Sequence, residues 1–202
     1  MKLIVPYRNR ELHLAKFAFH YHMMDILIVE QANNKLFNRG KLLNIGFNEC
    51  KDDIVCFHDV DLLCHEFEPY NKKVKGAVHL SGLCEQFNYR VPYATCFGGV
   101  TVFDAESFLK CNGFSNEFWG WGGEDDDLYN RTQLAGIDVR FDNHKYYSLQ
   151  HTKQPITDHY NVNKYLCTQT RKTWRESGLN SFRYKVLGER EEFGLKIISV
   201  DL

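Results

Sequence analysis

Two acidic groupings stand out in this chain of 202 residues. The first is Asp59-Val60-Asp61, which follows the apolar run Ile54-Val55-Cys56-Phe57 and His58. Two carboxylates at this spacing share a face if extended geometry continues past the strand. Hard oxygen ligands of this kind suit Mg²⁺ or Mn²⁺, ions that commonly bridge to phosphate oxygens. A solvated acidic turn has the same pattern, and His58 and His65 leave zinc open, although no HExxH-like spacing supports it. The second grouping is Trp119-Gly120-Trp121-Gly122-Gly123-Glu124-Asp125-Asp126-Asp127. Glycine permits tight backbone paths, and an indole offers a flat apolar platform with one N–H donor, suited to a sugar ring. The four carboxylates open a predicted helix, where the positive dipole end favours ionised acids. Successive helical residues do not share a face, so the four divide roles. A carboxylate beside a sugar platform can act as general base toward a hydroxyl. Two core tryptophans and ordinary helix-start charge form the competing account, but four like charges in a row cost stability and weigh for function.

These residues need elements to hold them. Leu3 to Val5 reads as a short strand that ends in the polar turn Pro6-Tyr7-Arg8-Asn9-Arg10. Leu14, Phe17, Ala18 and Tyr21 repeat at helical spacing. Asp25 to Glu30 and Ile54 to Phe57 are continuous apolar runs, as in strands covered on both faces. Arg39 to Cys50 reads as helix, so strand and helix alternate and a parallel α/β core is expected in the first half. In the second half, strands are expected at Val74 to Ser81, Thr95 to Phe103, Asp138 to Phe141 and Tyr146 to Gln150. Asp104 caps a helix that Gly113 stops, and Glu124 to Ala135 is a helix ended by Gly136. A helix at Tyr165 to Glu176 and a hairpin through Tyr184 to Leu187 and Leu195 to Val200 complete a mixed sheet.

Composition sets the outer limits. Lysine plus arginine (25) nearly cancels aspartate plus glutamate (26), which removes the simplest nucleic-acid reading. The 44% hydrophobic content argues against a disordered chain. No apolar stretch approaches the roughly 18 residues of a transmembrane segment, and the first residues are too short an apolar run for a signal peptide. The seven cysteines are an odd number without CxxC spacing, which reads as reduced thiols packed as small hydrophobes.

Several segments, in order and over nearly the whole chain, resemble the β-1,4-galactosyltransferases of glycosyltransferase family 7, which are inverting enzymes. They are Pro6 to Arg10, Phe37 to Asn44, Asp59 to Leu62, Pro92-Tyr93 with Phe97-Gly98-Gly99-Val100, Asn112-Gly113-Phe114 with Trp119 to Asp126, His151, and Gly178 to Ser181. The resemblance implies an α/β fold of GT-A type, a nucleotide-sugar-binding fold with a mixed central sheet flanked by helices. It implies one catalytic domain over 1–202, with a nucleotide-binding part at 1–65 and a donor-sugar and acceptor part at 66–202. Pro6, Tyr7, Arg8, Arg10, Phe37 and Arg39 would lie around the UDP of the donor, with Asp59 and Val60 also touching the nucleotide. Asp61 and His151 would ligate Mn²⁺, with Mg²⁺ as the alternative. Trp121 would line both sugar sites, Glu124 would contact the donor sugar, Asp125 would be the catalytic base, and Asp126 would help hold the glycan acceptor. The segment Trp119 to Gly123 would be a lid.

The chain also departs from that pattern. Cys96 stands where galactose-transferring members carry tyrosine, which opens room for an acetamido group, so UDP-GalNAc is expected to serve at least as well as UDP-galactose. Ser148, a weak ligand, stands at the third metal position. The stretch between His151 and Gly178 diverges, leaving the acceptor open. The chain starts almost at its first strand, from which a cytoplasmic enzyme of a bacterium or virus is expected. A non-catalytic sugar-binding module and a metal-dependent UDP-sugar hydrolase are the competing functions.

Overall fold

The apolar runs of the first half become parallel strands buried on both faces. β1 (Lys2–Tyr7) lies between β2 (Asp25–Gln31) and β3 (Ile54–His58), parallel to both. Along β1 the side chains alternate. Leu3, Val5 and Tyr7 enter one core with Leu14 and Phe17 of α1 (Glu11–His20), while Ile4 enters the other with Leu42, Leu43 and Ile45 of α2 (Arg39–Cys50). Burying each such aliphatic side chain contributes about 1.5–3 kcal/mol. Helix α2 sits so low on the sheet that a Cβ on Gly46 would stand 2.2 Å from Ile4 Cγ2. These elements come from a computed structural model that describes residues 1–50, 52–151 and 158–202.

The second half supplies β4 (Leu62–Cys64), β5 (Ala77–His79), β6 (Leu83–Cys84), β7 (Val100–Asp104), α3 (Ala105–Lys110), α4 (Glu124–Leu134), β8 (Val139–Phe141), β9 (Lys145–Ser148), α5 (Asp158–Thr173), β10 (Lys185–Glu192) and β11 (Leu195–Asp201). The main sheet has the order β10-β11-β2-β1-β3-β7-β5-β8, and β4, β9 and β6 form a small second sheet. Strand β7 runs antiparallel to β3, and β11 runs parallel to β2. The sheet is mixed, as expected.

Local signals account for most boundaries. Asp104 accepts a hydrogen bond from Ser107 N as the cap of α3. Gly113 and Gly136 both take φ +61, the left-handed stop expected after α3 and α4. Phe193 and Gly194 both have positive φ, so a two-residue turn of the type that suits hairpin twist joins β10 to β11. Strands β5 and β7 are shorter than expected, because the chain turns at Gly76 (φ +82) before β5 and at Gly99 (φ +83) before β7. Helix α5 starts ahead of the expected Tyr165. Strands β4 and β6 were not anticipated. All seven cysteines are free thiols, and Cys56, Cys64, Cys84 and Cys111 are buried among apolar side chains. Among the described residues no helix is long and apolar enough to cross a membrane.

The strand order β2-β1-β3 reverses direction beside β1, which creates a crevice at the carboxyl ends of β1 and β3. Arg8 to Arg10 leave the end of β1, and Asp59 to Asp61 leave the end of β3.

Candidate active site

At one side of the crevice, Asp61 and His151 meet. His151 Nε2 lies 2.9 Å from Asp61 Oδ2, and Arg10 reaches both, with Nη1 3.2 Å from the same oxygen and Nη2 3.2 Å from His151 Nδ1. Backbone pairing holds this meeting in place, since Leu149 N donates to Asp61 O at 2.8 Å and Leu62 pairs with Ser148 across β4 and β9. A carboxylate oxygen and an imidazole nitrogen 2.9 Å apart have the separation of adjacent ligands around an ion with bonds of about 2.1 Å. The donor set therefore fits a divalent cation. Among the described residues no group of three or more His, Cys, Asp or Glu forms a closed protein cage. Ser148 Oγ accepts a hydrogen bond from Gln86 N at 3.3 Å. The zinc alternative loses its histidines. His58 is buried, bonded to Asp59 O and the Tyr70 hydroxyl, and burial pulls it down to about 3. His65 stacks on Tyr147.

Deeper in, Arg39 joins the two acidic motifs. Its Nε donates to Asp59 Oδ1 at 2.7 Å, and its Nη1 lies 3.6 Å from Glu124 Oε1. Burial pushes Asp59 up, while Arg39 pulls against that shift. Burial and then the neighbouring Asp125 push Glu124 up to about 7. Asp125 is also raised, by burial first and Asp126 second. Its carboxylate lies against Gly98, where a Cβ would stand 2.5 Å from Oδ2. Asp127 takes a different part from the other three acids. Its carboxylate is buried, paired with Arg131 Nε at 2.6 Å and bonded to the Thr170 hydroxyl. The ion pair lies within α4, and the Thr170 bond fastens α4 to α5.

The outer wall is aromatic and glycine-rich. Gly120, Gly122 and Gly123 all take positive φ. Trp121 is 57% exposed and stacks on Tyr160 of α5. Asn163 donates to Trp119 O, and the Cys167 thiol donates to Gly123 O, so one face of α5 braces this loop. Half-buried Cys96 closes a turn with Tyr93 O, and the Tyr93 hydroxyl donates to Asp126 Oδ1 at 2.9 Å. On the nucleotide side of the expected site, the Arg8 guanidinium lies 5.3 Å from the centre of the Phe37 ring and donates to Lys35 O. Pro6, Tyr7 and Val60 are buried, Tyr7 and Val60 within the core that packs against α1, and the Tyr7 hydroxyl accepts from Arg10 N at 3.4 Å. The structure thus gathers Arg10, Asp61 and His151 in one group, and Arg39, Asp59, Glu124 and Asp125 in another. Sequence reasoning assigned no role to Tyr93 or Gly98. Both sit in segments flagged for their resemblance, but a glycine that touches a carboxylate leaves no side-chain signal.

Residues 1–71 match the model described as the N-terminal region of glycosyl transferase group 7, and residues 78–152 match that of the N-terminal domain of galactosyltransferase. Over 203 residues the chain is 36% identical to β-1,4-galactosyltransferase 3 of Cricetulus griseus, covering 93% of this chain and 51% of that protein. It is also 36% identical to β-1,4-galactosyltransferase 1 of Bos taurus, over 92% of this chain and 50% of the relative. The chain belongs to the β-1,4-galactosyltransferase family.

Solved galactosyltransferases share its architecture. The catalytic domain of Drosophila β-1,4-galactosyltransferase 7 with xylobiose superimposes at TM-score 0.82 and 28% identity, over all of this chain and 93% of that one. A mutant of the same enzyme, complexed with manganese, UDP-Gal and xylobiose, gives 0.81 and 26%, with the same coverage. The fold is therefore of GT-A type, as expected. The galactosyltransferase match also overturns one expectation. The relatives it matches are animal galactosyltransferases, so the assignment to the cytoplasm of a bacterium or virus is withdrawn. That assignment rested on the closeness of the first strand to residue 1, which carries no information on compartment. The chain spans about half the length of the curated galactosyltransferases it matches.

Proposed function

We propose that this chain transfers galactose or GalNAc from a UDP-sugar to a hydroxyl of a glycan acceptor, with inversion to a β linkage. The observation that carries this reading is the partly buried Asp125 carboxylate, set against Gly98 and beside the network that Arg39 forms with Asp59 and Glu124. The Drosophila complex with manganese, UDP-Gal and xylobiose supports it by likeness of fold and family.

Ionised Asp125 accepts the proton of the acceptor hydroxyl as that oxygen attacks the anomeric carbon. The bond to the UDP oxygen breaks, and its electron pair leaves with the diphosphate. One displacement from the opposite face turns an α-linked donor into a β-glycoside. Burial raises the proton affinity of Asp125, which makes its carboxylate a stronger base than one in water. Asp61 and His151 would hold Mn²⁺ or Mg²⁺, which would supply Lewis-acid neutralisation of the departing charge. Arg8 and Arg10 add positive charge near the diphosphate, and Phe37 offers a face to the base. Residues 1–65 thus hold the nucleotide, with Pro6, Tyr7 and Val60 contributing backbone. Residues 66–202 hold the sugars, with Glu124 at the donor, Trp121 between the two sugars and Asp126 at the acceptor. The glycine-rich Trp119 to Gly123 loop closes over the donor and excludes water.

Incubation with UDP-Gal or UDP-GalNAc, Mn²⁺ and an acceptor array tests the reading. UDP release that needs an acceptor supports transfer. Release without one supports a hydrolase, and binding without release supports a binding module. Asp125→Asn is expected to abolish transfer and keep donor binding. At Cys96 the thiol leaves more room than a phenol, so UDP-GalNAc turnover should equal or exceed that of UDP-Gal. A strong preference for UDP-Gal that survives Cys96→Ala overturns that assignment.

A further inference from the structure

The Gly98-Gly99 turn touches several parts of the site at once. Gly98 abuts the Asp125 carboxylate, Gly99 O accepts from Asp59 N at 3.1 Å, and Arg39 Nη2 lies 3.5 Å from the same oxygen. A second set of contacts comes from β5 and the residues just after it. His79 Nε2 donates to Gly98 O at 2.8 Å, and the Ser81 hydroxyl donates to the same oxygen at 3.1 Å while accepting from Val100 N at 2.8 Å.

The His79 ring is 1% exposed and lies between the rings of Phe97 and Phe141. Burial pulls it down to about 4, so it is neutral at pH 7. A carbonyl oxygen can only accept, which puts the ring hydrogen on Nε2. The other nitrogen, Nδ1, is buried with no hydrogen-bond partner among the described residues. Packing alone would favour phenylalanine there, because an unpaired buried polar atom is unfavourable. What the histidine adds to the pocket is one N–H on the Gly98 carbonyl.

We infer that His79 is a positioning residue for sugar transfer: its Nε2–H fixes Gly98, and Gly98 limits where the Asp125 carboxylate can sit. This rests on the reading of Asp125 as the base. Two variants test it. His79→Phe keeps the aromatic packing and removes the donor, whereas His79→Gln places an amide N–H near the position of Nε2. The phenylalanine variant should lower kcat on the order of tenfold to 100-fold at nearly unchanged donor KM, as expected for a misplaced base. The glutamine variant should recover most of that loss. A phenylalanine variant with wild-type kcat overturns the inference, as does a glutamine variant that melts like the wild type yet is no faster than the phenylalanine one. Amide hydrogen exchange at residues 98–100 gives an answer independent of activity. Faster exchange in the phenylalanine variant, restored in the glutamine variant, supports the anchor, and unchanged exchange in both overturns it. If wild-type protein turns over no donor, the transferase reading has failed, and the exchange result still decides the anchor.

Discussion

Replacing Gly98 by alanine should displace the proposed base without unfolding the protein. The new Cβ would stand 2.5 Å from Asp125 Oδ2, whereas ordinary contact begins at 3.4 Å, so one of the two groups must yield by about 0.9 Å. Gly98 does not occupy the left-handed region, so alanine accepts its backbone without strain. The clashing atom is the tip of a side chain that can rotate, so the cost should fall at the low end of the overpacking range, about 1 kcal/mol. That corresponds to a fall in Tm of about 2–4 °C for a domain of this size. Catalysis has no such tolerance. A shift near 1 Å costs about 100-fold in rate, or about 2.7 kcal/mol of barrier. Steady-state UDP release at saturating acceptor should show the loss in kcat, with donor KM nearly unchanged. Gly99→Ala gives the contrast. At φ +83, with Ser81 Oγ 2.5 Å from the added Cβ, it should destabilise the fold itself. If Gly98→Ala keeps wild-type kcat while Asp125→Asn is inactive, the contact does not set the position of the base.

Three further outcomes follow from burial and charge. Asp127→Ala leaves the Arg131 guanidinium buried without its carboxylate, which should cost about 3–5 kcal/mol, and a thermal melt within 2 °C of wild type, measured at about neutral pH, would refute it. The acidic limb of kcat should lie above the ordinary carboxylate range, because burial and Asp126 both raise Asp125; Asp126→Asn should move that limb to lower pH in a pH-rate profile at saturating acceptor. Glu124 is raised from 4.5 to about 7 in the folded state, so its contribution to stability is present below its unfolded pKa and lost as pH rises through 7. Glu124→Gln should therefore melt higher than wild type at about pH 8 relative to the comparison at about pH 5, and an equal difference at both pH values refutes the shift.

The sequence revealed elements whose signal is local. Helix α2 was read with its observed ends, and the runs at β2 and β3 were plain because both faces of those strands are buried. Strands β4 and β6 have three and two residues, too few for any periodicity, and exist through pairing with β9 far along the chain. The place of β11 beside β2 is likewise a long-range choice. The same divide runs through the site. Residue types marked Asp59, Asp61 and Glu124 to Asp127 as chemical, but composition could not separate Asp127 from its neighbours. Helical phase does so, turning Asp127 inward to Arg131 one turn on. Arg39 was expected only at the nucleotide, because nothing local shows that one guanidinium lies between Asp59 and Glu124.

The antiparallel pairing of β7 with β3 brings the proposed metal ligands and the base together. His58, the last residue of β3, pairs with Val100, the first of β7. The chain leaving β3 therefore becomes Asp59 to Asp61 at the same end of the sheet where Gly98 and Gly99 lead into β7. Had β7 run parallel to β3, those glycines would lie at the opposite end, away from the crevice. Asp59 N and Gly99 O close the junction with one hydrogen bond. Asp125 then needs only to reach Gly98 from the start of α4, and the glycine leaves space for the carboxylate against the backbone. On this account, the switch from parallel to antiparallel pairing in mid-sheet is the topological condition for bringing the two acidic motifs to one end of the sheet, and both depend on it equally.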